Sequence, residues 1–231
     1  MAVRKSRQSS VREMAFEALA PSMQDDEVMK ALEDDWSGVR ELALLELERR
    51  DERSIESLAE EIFTSAIERE QNRIVAAQVL ARVKGTKAAA EFFDVGESAA
   101  TPISLRFALA DLLSELDDAG VNKKIIKKVG KGRGMQKLFY MRAARNIDDP
   151  KVSKALQRLL ADKDPEVQIA AANALGSRKD ESAIPAFEKY LKKPKDDLVT
   201  HAVVAAMSEL KVGDAEWDAQ LVEYAQGENL Y

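Results

Sequence analysis

The sequence predicts an all-α protein, a stack of about seven helix pairs. Two patterns and one absence lead there. An alanine followed four residues later by a large aliphatic side chain recurs seven times in the 231 residues, at spacings of 28, 33, 32, 35, 28 and 35. A second amphipathic segment lies between each such pair and the next, as a repeating helix–turn–helix unit requires. No stretch alternates apolar and polar residues with the period of two that marks strands. Composition agrees, because alanine, leucine, glutamate and lysine favour helix, while ten glycines and six prolines are few for a loop-rich chain.

The clearest unit is Asp164–Leu191. Asp164 suits an N-cap and Pro165 the first helical position. Val167, Ala170, Ala171, Ala174 and Leu175 then form an apolar stripe, with Gly176 read as its end. Ser182 is the expected cap of the following helix, whose stripe is Ile184, Phe187, Tyr190 and Leu191.

The same parse extends along the chain. Val11-Arg12-Glu13-Met14-Ala15-Phe16 recurs as Val39-Arg40-Glu41-Leu42-Ala43-Leu44. The anchors are Ala15, Ala43, Ala76, Ala108, Ala143, Ala171 and Ala206, with partners Leu19, Leu47, Leu80, Leu112, Ile147, Leu175 and Leu210. A small anchor lets a neighbouring helix approach, and the aliphatic residue one turn on fills the gap. Intervening segments are read at Val28–Leu32, Ile55–Ile67, Ala88–Val95, Val121–Val129, Val152–Leu160 and Ile184–Leu191, with a last helix near Ala215–Ala225. Expected starts are a capping box at Ser10-x-x-Glu13, Thr101-Pro102, Asp149-Pro150 and an Asp214 cap. Fourteen helices result.

This pattern resembles the HEAT-repeat family, particularly the short bacterial form also seen in phycobilin-lyase-like proteins. The likeness spans Ser9–Ala225 and is sharpest at Asp164–Leu191 and at Asp34–Leu58, where an Asp-rich turn precedes Val-Arg and alanines. It implies a right-handed α-α superhelix, a solenoid with the Ala-Leu helices on the concave side. Stacking is also what the physics requires, since one pair cannot bury its apolar stripe alone and the terminal units need a polar outer face. The family's Val-Arg pair survives only at Val11-Arg12 and Val39-Arg40, with Arg73 after Asn72 as a partial third, and Gln168 replaces the arginine in the best repeat. A continuous Asp–Arg ladder is therefore not expected. The domain reading is one solenoid over 1–226, with 227–231 a tag remnant because ENLY resembles the start of a protease-cleavage linker.

The chemistry of a catalytic site is hard to find. There is no cysteine, which excludes disulfides, thiolate metal sites and cysteine nucleophiles. The one histidine, His201, excludes His-pair metal sites and reads as structural or exposed. Gly130, Gly132 and Gly134 lack the preceding strand and the spacing of a phosphate-binding fingerprint. Acidic pairs such as Asp25-Asp26, Asp34-Asp35 and Asp117-Asp118 sit at helix ends, where capping accounts for them. No cofactor is expected. No apolar run reaches the roughly 18 residues of a membrane span, and a soluble, cytoplasmic protein is expected.

One charge feature stands apart. Ala119–Ile147 holds nine basic residues and no acidic one, so in a chain of net charge −6 the remainder carries −15. They are Lys123, Lys124, Lys127, Lys128, Lys131, Arg133, Lys137, Arg142 and Arg145. At 100° per residue the five lysines oppose an arc of Val121, Ile125, Ile126 and Val129. Arg142 and Arg145 share the next helix face with Asn146, and the glycine turn between offers backbone amides to an anion. The plain reading is a solvated helix face. The functional reading is a docking site for an acidic protein partner, and the protein is expected to be a non-enzymatic interaction scaffold that binds its partner on the curved surface or on this basic patch. The alternative is a nucleic-acid binder using Lys123–Arg145. Helical repeats also occur in some DNA glycosylases, but the acidic total and the distant tryptophans oppose that activity. Nothing marks the chromophore site a bilin lyase would need. Trp36, in a turn, packs on its neighbour or anchors a peptide. Trp217 is expected to close the end of the core, and Phe92-Phe93 and Phe139-Tyr140 to lie within it.

Overall fold

The computed structural model describes residues 8–50 and 56–225, all of whose regular structure is helical. The expected tag remnant at 227–231 and the first residue of the Ile55–Ile67 segment lie outside them. Fourteen α-helices are present among the described residues, as the periodicity predicts. They fall in two compact units divided between Leu116 and Asp117.

The first unit holds α1 (Ser9–Leu19), α2 (Asp25–Ala31), α3 (Ser37–Arg50), α4 (Glu56–Thr64), α5 (Glu70–Lys84), α6 (Ala89–Glu97) and α7 (Ile103–Glu115). The anchor-bearing helices pack in a row, α1 on α3, α3 on α5 and α5 on α7, while α2, α4 and α6 form a second layer on α3, α5 and α7. The second unit repeats the plan with α8 (Ala119–Lys128), α9 (Met135–Ala143), α10 (Pro150–Leu159), α11 (Pro165–Ser177), α12 (Ile184–Leu191), α13 (Asp197–Leu210) and α14 (Ala215–Ala225). There α9, α11 and α13 pack in a row, and α8, α10 and α12 lie on α9, α11 and α13. Each outer helix thus packs on the anchor helix that follows it.

The anchors behave as their chemistry predicts inside each row. Ala43, Ala76, Ala143 and Ala171 are fully buried, as are Leu47, Leu80 and Leu175. At the first and last anchors the pattern loosens, with Leu19 exposed and Leu210 half-buried. The fourth anchor is out by one residue. Leu105, Leu109, Ala110 and Leu113 of α7 are buried, while Ala108 and Leu112 are only half-buried. That helix (ISLRFALADLLSE) is apolar around much of its circumference, so tertiary packing decides which face turns inward. The expected aromatic core is present in Phe92, Phe93, Phe139 and Tyr140, and Trp217 is buried with its indole N–H donated to Ser208 at 3.1 Å.

Asp caps hold at Asp149, Asp164 and Asp214, whose carboxylates accept backbone N–H groups two or three residues on. Other expected ends are different. Ser10 and Glu13 form no capping box: α1 starts at Ser9, and Glu13 instead accepts the Trp36 indole N–H at 2.6 Å. Thr101 does not cap α7 but donates its hydroxyl to Val95 O at 2.5 Å. Asp180, not Ser182, caps the turn before α12, accepting the Ser182 amide at 3.2 Å. Gly176 does not end α11. It lies inside the helix against Ala206 of α13, and Lys179 takes the left-handed backbone at φ 51°.

The turns are tied in a ladder, though not by the family's residues alone. Arg12 pairs with Asp34 at 2.9 Å. Arg40 reaches two turns, donating to Asp34 O at 2.5 Å and to both Glu68 carboxylate oxygens at 2.9 Å. Asn72 follows, donating to Glu68 and to Ser37 O, both at 3.0 Å. In the second unit Gln168 binds Asp162 O six residues back, the bond Arg40 makes to Asp34 O, and Lys137 pairs with the Asp162 carboxylate. The ladder is therefore present as a set of equivalent bonds, because a turn carbonyl needs a donor of the right reach rather than an arginine as such.

A carboxylate on the inner helix of the first unit yields a pH prediction. Glu46 is buried and accepts from Arg49 at 2.6 and 2.9 Å and from Arg50 at 2.6 Å. The Arg49 bond foremost, then Arg50, pulls its carboxyl from 4.5 down to about 2, against the desolvation that pushes it up. A depressed folded pKa contributes stability that is complete above the unfolded value and lost as pH falls. Stability is expected to fall between pH 4.5 and 2, the window set by that shift. Urea unfolding at stepped pH should show a shallower acid slope for Glu46→Gln than for wild type.

Candidate cationic groove

The groove forms where α8 and α10 lie side by side on the outer layer of the second unit. Asp118 starts α8 by accepting the Val121 amide at 2.8 Å. Val121 and Ile125 are buried, which leaves Lys123 and Lys127 exposed on the opposite side, with Lys124, Ile126 and Lys128 half-buried at the edges. The helix stops at Val129, whose backbone is extended, and Gly130, Gly132 and Gly134 follow with φ of 80°, 88° and 40°. Side chains with a Cβ avoid that region, so the glycines make the reversal possible. Gly130 also faces α10 closely, since a Cβ there would lie 3.4 Å from that of Ala155.

α10 presents its complementary face for the same periodic reason. Val152, Leu156 and Leu159 point into the core, so Lys151, Ala155 and Arg158, at steps of four and three, share the adjoining stripe. Between the helices is a groove of about 670 Å³. Ala119, Ile126, Val129 and Ala155 supply its apolar walls, and Lys123, Lys127, Lys131, Lys151 and Arg158 its charge. Asp149 is the one carboxylate lining it, and that group is engaged at the α10 N-terminus, accepting the Lys151 amide at 2.7 Å.

Three of the nine predicted basic residues therefore converge on the groove, and six do not line it. Lys124 and Lys128 lie at the edge of α8, and Arg133 is exposed in the glycine turn. Arg142 is exposed on α9, which ends at Ala143, so Arg145 and Asn146 stand in the following turn rather than on one helix face with it. Arg178 holds that turn by donating to the carbonyls of Ala144, Arg145 and Ile147 at 2.7–3.2 Å. Lys137 is committed to the ladder. Burial alone would raise the Asp162 carboxyl it meets, but that pairing and the Asp164 amide outweigh burial and hold the group below its ordinary value. The glycine turn's amides are partly used as well, with Lys131 N–H bound to Lys128 O at 2.9 Å.

Trp36 belongs to the first unit. Its indole edge is held by Glu13, and the Arg69 guanidinium lies 5.2 Å from its ring centroid. Sequence reasoning missed Lys151 and Arg158, because Asp148 and Asp149 interrupt the basic run. Their helical spacing opposite Val152, Leu156 and Leu159 was the available signal.

His201 is exposed on α13. Among the described residues no group of three or more His, Asp or Glu side chains is placed to hold a metal ion, and no helix is long and apolar enough to cross a membrane.

Residues 135–208 match the family model for HEAT repeats. The matched segment runs from α9 into α13 and includes α10, one wall of the groove. The match includes Asp164–Leu191, where the resemblance of the sequence to HEAT repeats is sharpest. Comparison with curated proteins finds no match. Among solved structures the chain is similar to the Escherichia coli protein YibA, at 18% identity and a TM-score of 0.44, over 96% of this chain and 93% of that one. It is also similar to human deoxyhypusine hydroxylase in complex with glycerol, at 10% identity and a TM-score of 0.39, over 89% of this chain and 92% of that one.

Proposed function

We propose that the protein is a non-enzymatic helical-repeat adaptor of the cytoplasm that binds an acidic protein partner through the groove between α8 and α10. The carrying observation is the convergence of five cationic side chains, four from two helices and Lys131 from the glycine turn, on one apolar-walled groove. Cations at the rim steer and orient an acidic partner, while the apolar walls contribute the burial that charge pairs exposed to water do not. The groove's lining holds no aromatic ring on which a base could stack, which disfavours the nucleic-acid reading. The absence of cysteine, the single exposed histidine and the capping roles of the aspartates support an adaptor rather than a catalyst.

The test is binding of a labelled acidic peptide and of a duplex oligonucleotide of matched charge to the full chain, near physiological salt. The triple variant Lys123→Glu, Lys127→Glu, Arg158→Glu is expected to weaken peptide binding about 30-fold, roughly 2 kcal/mol. Arg133→Glu, outside the groove, should change it less than about threefold, within the range of a single exposed charge pair. An oligonucleotide bound more tightly than the peptide would replace this reading with the nucleic-acid one.

A further inference from the structure

Within that acidic-partner reading, on which it rests, we infer that the groove takes an amphipathic α-helix with carboxylates flanking an apolar stripe. Two features argue for a helix over an extended segment. The walls are themselves α-helices, whose backbone N–H and C=O groups are spent internally, so the groove offers no strand edge to a bound chain. A segment entering apolar walls must then satisfy its own backbone, which a helix does and an extended chain does not.

The side-chain pattern fits the same occupant. On α8, Ala119, Lys123, Ile126 and Lys127 line the groove at helical steps, and on α10 Lys151, Ala155 and Arg158 do likewise. Each wall therefore carries apolar and cationic positions in alternation along one stripe. A four-residue step rises about 6 Å, so Lys123 and Lys127 match carboxylates four apart on a helix lying alongside. Lys151 and Arg158, seven residues apart, span about 10 Å, or two turns of the same partner. The ten residues of α8 give a seat about 15 Å long, close to three turns. Charge is complementary along the whole seat, with five cations against the single, already engaged Asp149.

Three labelled probes separate the outcomes on the full-chain protein. The first is an acidic peptide of about 20 residues, with leucines on one helical stripe and glutamates beside it, long enough to form a helix. The second has the same composition with the leucines scattered around the helix. The third is a duplex oligonucleotide. The stripe peptide is expected to bind about tenfold tighter than the scattered one, and to gain helical circular dichroism when bound. Ile126→Ser should remove most of that preference, and Lys123→Glu should weaken both peptides. Equal binding of the two peptides would overturn the helix inference and leave the acidic-partner reading standing. Binding of neither peptide, or of the oligonucleotide alone, would overturn both. Circular dichroism of each variant establishes that it is folded, and exposed Lys123 supplies a substitution that leaves the core untouched.

Discussion

Gly176→Leu is expected to destabilise the protein by about 3 kcal/mol, at the upper end of what overpacking costs. Gly176 lies in the last turns of α11, where that helix meets α13. An added Cβ would stand 2.9 Å from the Ala206 Cα and 3.0 Å from its Cβ, so backbone rather than a flexible side-chain end must yield. Glycine in a helix is about 1 kcal/mol worse than alanine, and that gain partly offsets the clash in Gly176→Ala, leaving a loss of about 1 kcal/mol. Leucine adds three carbons to the same contact with no further gain. Ser177→Ala, the exposed neighbour, should stay within about 0.5 kcal/mol. Urea unfolding of the four proteins orders these effects. Equal midpoints for wild type and Gly176→Leu would mean that α11 and α13 separate freely and that the close approach carries no weight.

Arg40→Ala is expected to cost about 2 kcal/mol, the range of charge-assisted hydrogen bonds whose partners stay largely buried. The guanidinium bonds both oxygens of Glu68 and the carbonyl of Asp34, joining the turns before α3 and α5. The Glu68 side chain is 9% exposed, so without Arg40 its charge loses its nearest compensation while remaining largely desolvated. Arg40→Lys should recover less than half, because one ammonium cannot span a carboxylate and a carbonyl as a planar fork does. A double-mutant cycle with Glu68→Ala measures the coupling. A coupling near zero would reduce the ladder to a surface ornament of the turns.

The helices were legible because their signals are local. An apolar stripe of period 3.6 and an aspartate two or three residues before the first free amides act within one turn of chain, as at Asp149, Asp164 and Asp214. The errors fall where a residue answers to a distant partner. Glu13 leaves its expected capping role for Trp36, 23 residues away. Gly176 serves a helix–helix approach rather than a helix end. In α7 the excess of apolar residues makes the local pattern degenerate, so Leu109 and Leu113 displace Ala108 and Leu112 from the core.

The candidate site divides in the same way. Charge is a property of composition, so the lysines of α8 stand out in the sequence without any fold. Their convergence with Lys151 and Arg158 does not, since it depends on α8 and α10 lying together and on Gly130 turning the chain against Ala155. By itself the sequence determined an all-α repeat, its helices and a basic segment, because those follow from neighbours a few residues apart. Only the tertiary structure decided which cations share a groove and which, like Lys137 with Asp162, are spent on holding turns together, because both outcomes depend on contacts between residues far apart in the chain.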